Sequence, residues 1–231
     1  MTTYALLHGS GDGGWSWHLV QRALSELGHD AVAPDLPTDR DDATWDDCVE
    51  VVVAAVGGAQ DVVVVGHSSG GFVVPLVAER LRASLQVYVA GMVPRPGESG
   101  SDWFGSVGWA RAVAELSRQD GGLTGSPDPA VAFHHDVPEP LAREAMARER
   151  ATSERLGEAP WPAPALPDIA ARYVVTTRDR FLPPAVQRRV AAERLGVATP
   201  DELDTGHCAT LSRPDELARL LAGCVQAPAS Q

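Results

Sequence analysis

Cysteine is scarce in this chain: there are three among 231 residues, Cys48, Cys208 and Cys224. The number is odd and the spacing is not that of a metal knuckle, so neither a disulfide framework nor a structural zinc site is expected, and a reducing, cytoplasmic setting is the default. Long hydrophobic runs are missing as well. No stretch approaches the roughly 20 apolar residues of a membrane span. The N-terminus runs from Thr2-Thr3 straight into a short apolar segment, without the basic patch and apolar core of an export signal. Positive charge is in short supply, with 19 basic against 31 acidic side chains and a formal charge of −12. Such a surface repels nucleic acid and anionic lipid and mainly supports solubility, so neither is an expected partner. The chain also lacks an internal repeat, a G-K-[ST] motif and, despite Gly9, Gly11, Gly13 and Gly14, a G-x-G-x-x-G run. A nucleotide-phosphate cradle is therefore not expected. What remains is one globular domain, large enough to bury roughly 70 to 75% of its unfolded surface.

The chain is organised around Asp61 to Arg82, DVVVVGHSSGGFVVPLVAERLR. Four consecutive valines, Val62 to Val65, have no polar face, which is how a strand buried on both sides of a parallel sheet reads. Gly66-His67-Ser68-Ser69-Gly70 follows, and then Phe72, Val73, Leu76, Val77 and Leu81 recur at helical spacing. Strand, abrupt turn and helix make the G-x-S-x-G segment a nucleophile elbow. The turn forces its apex residue into strained backbone, and glycines at 66 and 70 avoid collisions with strand and helix. Ser68 is then expected to project from the carboxyl edge of the sheet at the N-terminus of a helix. The competing readings are a plain glycine-rich turn and a phosphate loop.

Strand and helix alternate on either side of this unit. Strands are expected at Tyr4 to Leu7, Asp30 to Ala33 and Ser84 to Ala90, with helices at Trp15 to Leu27 (Trp15, Leu19, Ala23, Leu24 and Leu27 on one side) and Thr44 to Val56. The rhythm breaks from Arg95 to Asp168, where Gly, Pro and Ser clusters surround two helical patterns, near Trp109 to Arg118 and Glu139 to Arg155. We read this stretch as a lid inserted over the edge where Ser68 points, with Trp103, Phe104, Trp109 and Trp161 as exposed aromatics. Alternation resumes with a strand at Arg172 to Thr177, a helix at Ala185 to Leu195, a weaker strand within Ala198 to Leu203 and a helix at Asp215 to Val225. The tail from Gln226 to Gln231 is expected to fray. The fold class is α/β: a mostly parallel sheet of about six strands with helices on both faces and an inserted helical lid, all in one domain spanning 1–231.

A serine hydroxyl attacks at neutral pH only if a base takes its proton. Of seven histidines, His207 has the best context, on a loop between the last strand and the last helix. The carboxylate that orients it is expected at another strand end, and Asp179 stands just beyond Tyr173 to Thr177. Ser68, Asp179 and His207 fall in the chain order of an α/β-hydrolase triad. A tetrahedral oxyanion needs two preorganised N–H donors; the amides of Ser69, at the head of the elbow helix, and of Ser10, after the first strand, are the candidates. His134-His135-Asp136 is set aside as a metal site, because adjacent histidines project apart and no further ligand has suitable spacing.

HGSGDGGWSWHLV, GHSSGG, VPRPGES, TTRDRFLPP and LDTGHCATLSRPDEL together resemble the α/β-hydrolase subfamily of plant methyl-ester esterases, (S)-hydroxynitrile lyases and bacterial carboxylesterase relatives. The similarity runs through nearly the whole chain and is weakest in the lid. It implies Ser68, Asp179 and His207 as triad, Ser10 and Ser69 as oxyanion hole, and no cofactor or metal. Lyases of the family carry threonine after the first-strand histidine and lysine after the catalytic histidine; here Gly9 and Cys208 stand there, which favours the esterase pattern. The expectation is a serine carboxylesterase acting on a small, largely apolar ester through an acyl-enzyme, monomeric or homodimeric. Gly9, Met92, Trp103, Phe104, Phe181, Leu182 and Cys208 are the expected pocket walls. The alternatives are a lyase, cyclase or acyltransferase of small-molecule biosynthesis on the same scaffold, and a non-catalytic ligand receptor.

Overall fold

The computed structural model describes residues 1–226. The first half of the chain runs β1 (Thr3–Leu7), α1 (His18–Glu26), β2 (Asp30–Val32), α2 (Trp45–Val56), β3 (Val62–His67), α3 (Val74–Leu81) and β4 (Leu85–Val89). A helical insertion follows: α4 (Gly100–Ser106), α5 (Trp109–Asp120), α6 (Pro129–Ala132), α7 (Glu139–Ala147) and α8 (Glu154–Glu158). The sheet is then completed by β5 (Ala171–Thr176), α9 (Pro184–Leu195), β6 (Asp201–Leu203), α10 (Ala209–Ser212) and α11 (Pro214–Gln226). Of the tail expected to fray, Gln226 is the last residue of α11 and residues 227–231 lie outside the described residues.

The valine run became the centre of the sheet. All six strands are parallel, in the order β2-β1-β3-β4-β5-β6. Side chains alternate across a strand, so β3 sends Val63 and Val65 to one face and Val62 and Val64 to the other. The first face packs on α1 and α11 through Val20, Leu24, Leu217 and Leu221. The second packs on α2, α3 and α9 through Val52, Val77 and Val190. Burial of these aliphatic side chains, each contributing about 1.5–3 kcal/mol, fixes the register of the sheet. Because every strand runs the same way, the loops after β1, β3, β5 and β6 all emerge at one edge. Among the described residues, no helix is long and apolar enough to cross a membrane.

Several local expectations are corrected. The helix expected from Trp15 starts only at His18, after a 3₁₀ turn at Gly14–Trp17. The tighter turn rotates Trp17 rather than Trp15 into the core, and Leu27 is left 45% exposed. Trp103 and Trp161, expected on the surface, are buried. Their indole N–H groups donate to the carbonyls of Val93 (2.9 Å) and Phe72 (3.0 Å), so the polar end of each ring is satisfied inside the protein. The helix expected from Glu139 to Arg155 breaks after Ala147, because backbone donors beyond it bond across the fold: Arg150 N–H to Gly11 (2.8 Å) and Ser153 N–H to Thr38 (2.7 Å). The insertion is thereby stitched to the loops that follow β1 and β2. The last strand is confined to Asp201–Leu203, after the break at Pro200.

Candidate active site

The turn after β3 is as sharp as the glycines around it suggest. Ser68 has φ 52°, in the left-handed region that a side-chain-bearing residue enters at a cost of about 1–2 kcal/mol. Its neighbours hold it there. A Cβ on Gly66 would run into Val74 of α3, and one on Gly70 would lie 2.5 Å from the His8 carbonyl and 2.7 Å from that of Leu7. The amide of Met92, beyond β4, donates to the Ser68 carbonyl at 2.8 Å. The strain is therefore set by packing on both sides of the bend, and Ser68 is left facing a cavity of about 670 Å³.

His207 lines the same cavity. Its Nδ1–H donates to Asp179 Oδ2 at 2.7 Å, which leaves Nε2 as the basic nitrogen. Asp179 is buried and saturated with donors. Its Oδ1 accepts the amides of Phe181 and Leu182, both at 2.8 Å, and its Oδ2 also accepts Thr176 Oγ1 (2.9 Å) and Gln187 Nε2 (3.0 Å). Such a carboxylate can stabilise an imidazolium without leaving its place. The structure thus joins His207 to Asp179 and brings Ser68 to the wall of the same cavity, with no hydrogen bond between Ser68 and His207.

Two further groups clasp the histidine loop, and neither was singled out for this in the sequence. His67, inside the G-x-S-x-G segment, donates from Nε2 to the His207 carbonyl at 2.9 Å, tying the elbow to the loop of the base. Burial, followed by the nearby His207 charge, pushes the His67 pKa down to about 3, so its ring stays neutral. Asp136, in the insertion, accepts the Gly206 amide (2.7 Å) and the Thr205 hydroxyl (2.9 Å) through Oδ2. Set aside as part of a metal cluster, it is a strut for the loop that carries His207. Among the described residues no group of His, Cys, Asp and Glu is placed to hold a metal ion.

The two amides expected to bind an oxyanion are not equally open. The Ser10 amide donates to Ser69 Oγ at 2.7 Å, and the Ser10 and Ser69 hydroxyls are hydrogen-bonded at 2.7 Å. The Ser69 hydroxyl must turn aside before Ser10 N–H can meet a substrate oxygen. Of the expected pocket walls, Gly9, Met92, Phe104, Phe181 and Cys208 line the cavity. Trp103 and Leu182 do not; both are packed into the core beneath it. The cavity is instead completed by Leu36, Trp45, Phe72, Phe133 and Leu156, of which Phe133 stands edge-on to His207 with ring centroids 5.5 Å apart. These residues come from segments distant in the chain and share no motif. Cys208 is no rival nucleophile, because burial raises its thiol pKa well above the ordinary range.

Comparison with known proteins identifies the family and the fold. The family model described as "Alpha/beta hydrolase family" matches residues 5–220. Norfluorocurarine synthase 1 from Strychnos nux-vomica is 24% identical, with 94% of this chain and 93% of that protein covered. Norfluorocurarine synthase 2 from Strychnos sp. and Methylesterase 18 from Arabidopsis thaliana are 33% and 30% identical, but those matches cover 39% and 41% of this chain and span only 39% and 40% of the relatives' length. The crystal structure of polyneuridine aldehyde esterase superposes with a TM-score of 0.75 at 20% identity, covering 97% of this chain and 99% of the other. A pyrethroid hydrolase from Sphingobium faniae JZ-2 gives 0.73 at 21% identity, covering 99% and 98%.

Proposed function

The chain belongs to the alpha/beta hydrolase family, and on that premise we propose that it is a serine carboxylesterase cleaving a small, largely apolar ester. In this reading Ser68 Oγ attacks the ester carbonyl carbon while His207 Nε2 takes the hydroxyl proton. Asp179 holds the imidazole by Nδ1 and stabilises its cation. The carbonyl oxygen, now an oxyanion, is received by the amides of Ser69 and, once the Ser69 hydroxyl has turned away, Ser10. Collapse of the tetrahedral species expels the alcohol, protonated by His207, and leaves an acyl-Ser68. Water activated by the same imidazole then releases the acid, in a cytoplasmic setting that leaves the three cysteines reduced. The insertion acts as a lid that walls the cavity and sets which esters fit.

The observation that carries this reading is the 2.7 Å His207–Asp179 bond, opening on the cavity where the strained bend holds Ser68. Relatives named esterase and methylesterase support it. Replacing Ser68 by Ala should lower turnover of a p-nitrophenyl ester by roughly four orders of magnitude, and a fluorophosphonate probe should label the wild type alone. Activity persisting in Ser68→Ala would overturn the assignment.

A second reading draws support from a relative named synthase that aligns over most of this chain: a non-hydrolytic reaction using the same residues, with water excluded by the insertion. It requires Ser68 to be labelled by the fluorophosphonate while simple esters are not turned over.

A further inference from the structure

Most of the cavity wall is apolar, but the charged side chains on it are of one sign. Asp12 and Glu149 line it and no arginine does, in a chain whose basic residues are all arginine. Carboxylates withdrawn from water elsewhere have partners: Asp179 its cage of donors, Glu98 the Arg194 guanidinium at 2.5 Å, Asp136 the Gly206 amide. Asp12, half-buried at the cavity wall, has no side-chain hydrogen bond among the described residues; partial burial raises its pKa to about 6, opposed by the charge of His207 and reinforced by that of Glu149.

Two guanidiniums border the small recess on the other side of Asp12, and both are engaged elsewhere. Arg148 pairs with Glu144 at 2.9 Å and lies over the Trp15 ring at 4.9 Å. Arg150 pairs with Asp39 at 2.9 Å and donates to the Leu36 carbonyl at 3.2 Å. A carboxylate half-buried beside an apolar wall and left without a partner of the protein is poorly solvated and gains most from a cationic ligand.

We propose that Asp12, with Glu149 beside it, forms a subsite for an alkylammonium group carried by the substrate. The proposal rests on the ester-cleaving reading of Ser68 and names its substrate class: an ester with a protonated amine on its acyl or alcohol side, the rest of the molecule apolar. An N⁺–H donates to the Asp12 carboxylate, and Glu149 adds to the negative potential at the same end. Substrates bearing a free carboxylate are repelled by the same groups.

Two isosteric ester pairs test this. One is 2-(dimethylamino)ethyl against 3-methylbutyl acetate; the other is methyl 4-(dimethylamino)butanoate against methyl 5-methylhexanoate. At pH 7.5 the ammonium member of at least one pair should be preferred about tenfold or more in kcat/KM, the worth of one charge-assisted hydrogen bond. The ratio within the pair should fall to about one in Asp12→Asn and be retained in Glu193→Gln, which removes an exposed charge on α9. A wild-type preference for the neutral members, or a ratio unmoved by Asp12→Asn, overturns the subsite and leaves the Ser68 reading intact. Calorimetric titration of the same esters into Ser68→Ala separates the two claims from the other side. If the wild type turns over neither pair, tighter binding of the ammonium member still supports the subsite, and equal binding overturns it.

Discussion

Removing the carboxylate of Asp136 should damage catalysis from outside the catalytic machinery. Asp136 stands in the insertion, and its side chain, 8% exposed, accepts the Gly206 amide at 2.7 Å and the Thr205 hydroxyl at 2.9 Å. His207 follows Gly206 directly, so the position of its ring relative to Asp179 depends on where that backbone is held. In Asp136→Ala both bonds are lost and the Gly206 N–H loses its partner. At about 1–3 kcal/mol for such a group, with water recovering part of the loss, the fold should be weakened by about 2–4 kcal/mol. A displacement of roughly 1 Å in a catalytic group costs about a hundredfold in rate, so kcat for a p-nitrophenyl ester should fall about 10- to 100-fold while KM changes much less. Asp136→Asn keeps an oxygen acceptor at the same distance and should restore most of kcat. The assays are steady-state kinetics well below the unfolding transition, with urea denaturation run in parallel. A folded Asp136→Ala with kcat within twofold of wild type would refute the reasoning, as would an Asn variant as impaired as Ala, because the hydrogen bonds would then not be what positions the loop.

Two more outcomes follow from buried charge. Glu98 and Arg194 tie the insertion to α9 through a pair that is almost wholly buried, with Ser106 donating to Glu98 and Arg194 donating to the Val93 carbonyl. Glu98→Ala leaves the guanidinium buried and unpaired, so it should cost about 3–5 kcal/mol in urea unfolding, and a loss under about 1 kcal/mol would show that water reaches the site. Asp12 works in the opposite direction: its folded pKa, about 6, lies above the ordinary value of 3.8. The folded state therefore binds this proton more tightly than the unfolded chain, and the wild type loses stability as pH rises between about 4 and 6. Asp12→Asn should be more stable than wild type by about 2–3 kcal/mol at pH 7.5, with the gain fading toward pH 4; a destabilised variant at pH 7.5 would mean that the carboxylate is engaged by a group of the protein.

Much of the candidate site is legible in the sequence because it is written locally. Ser68 announces itself through the strand before it, the glycines beside it and the helix after it, all within one short segment. Asp179 and His207 are legible because parallel strands end at one edge, so a residue just past β5 and another past β6 are brought to that edge by topology. What escapes is whatever depends on a partner far along the chain. His67 reads as a spacer in G-x-S-x-G until the fold sets the carbonyl of His207, 140 positions away, against its ring. Asp136 meets Gly206 across 70 positions, from an insertion whose Gly and Pro content hides its helices. Trp103 and Trp161 read as surface residues because nothing near them shows that the insertion folds back to supply carbonyls for their indole N–H groups. Asp12 sits in a glycine-rich loop where a carboxylate passes for a solvated one. Only the insertion, bonded to that loop through Arg150 and Thr152 and bringing Glu149 beside it, turns it into an unpaired charge beside an apolar cavity. The candidate site at the sheet edge is inherited from sheet topology and leaves a mark in the motifs; the cavity wall is completed by side chains that the insertion brings together, and their spacing along the chain carries no trace of the encounter.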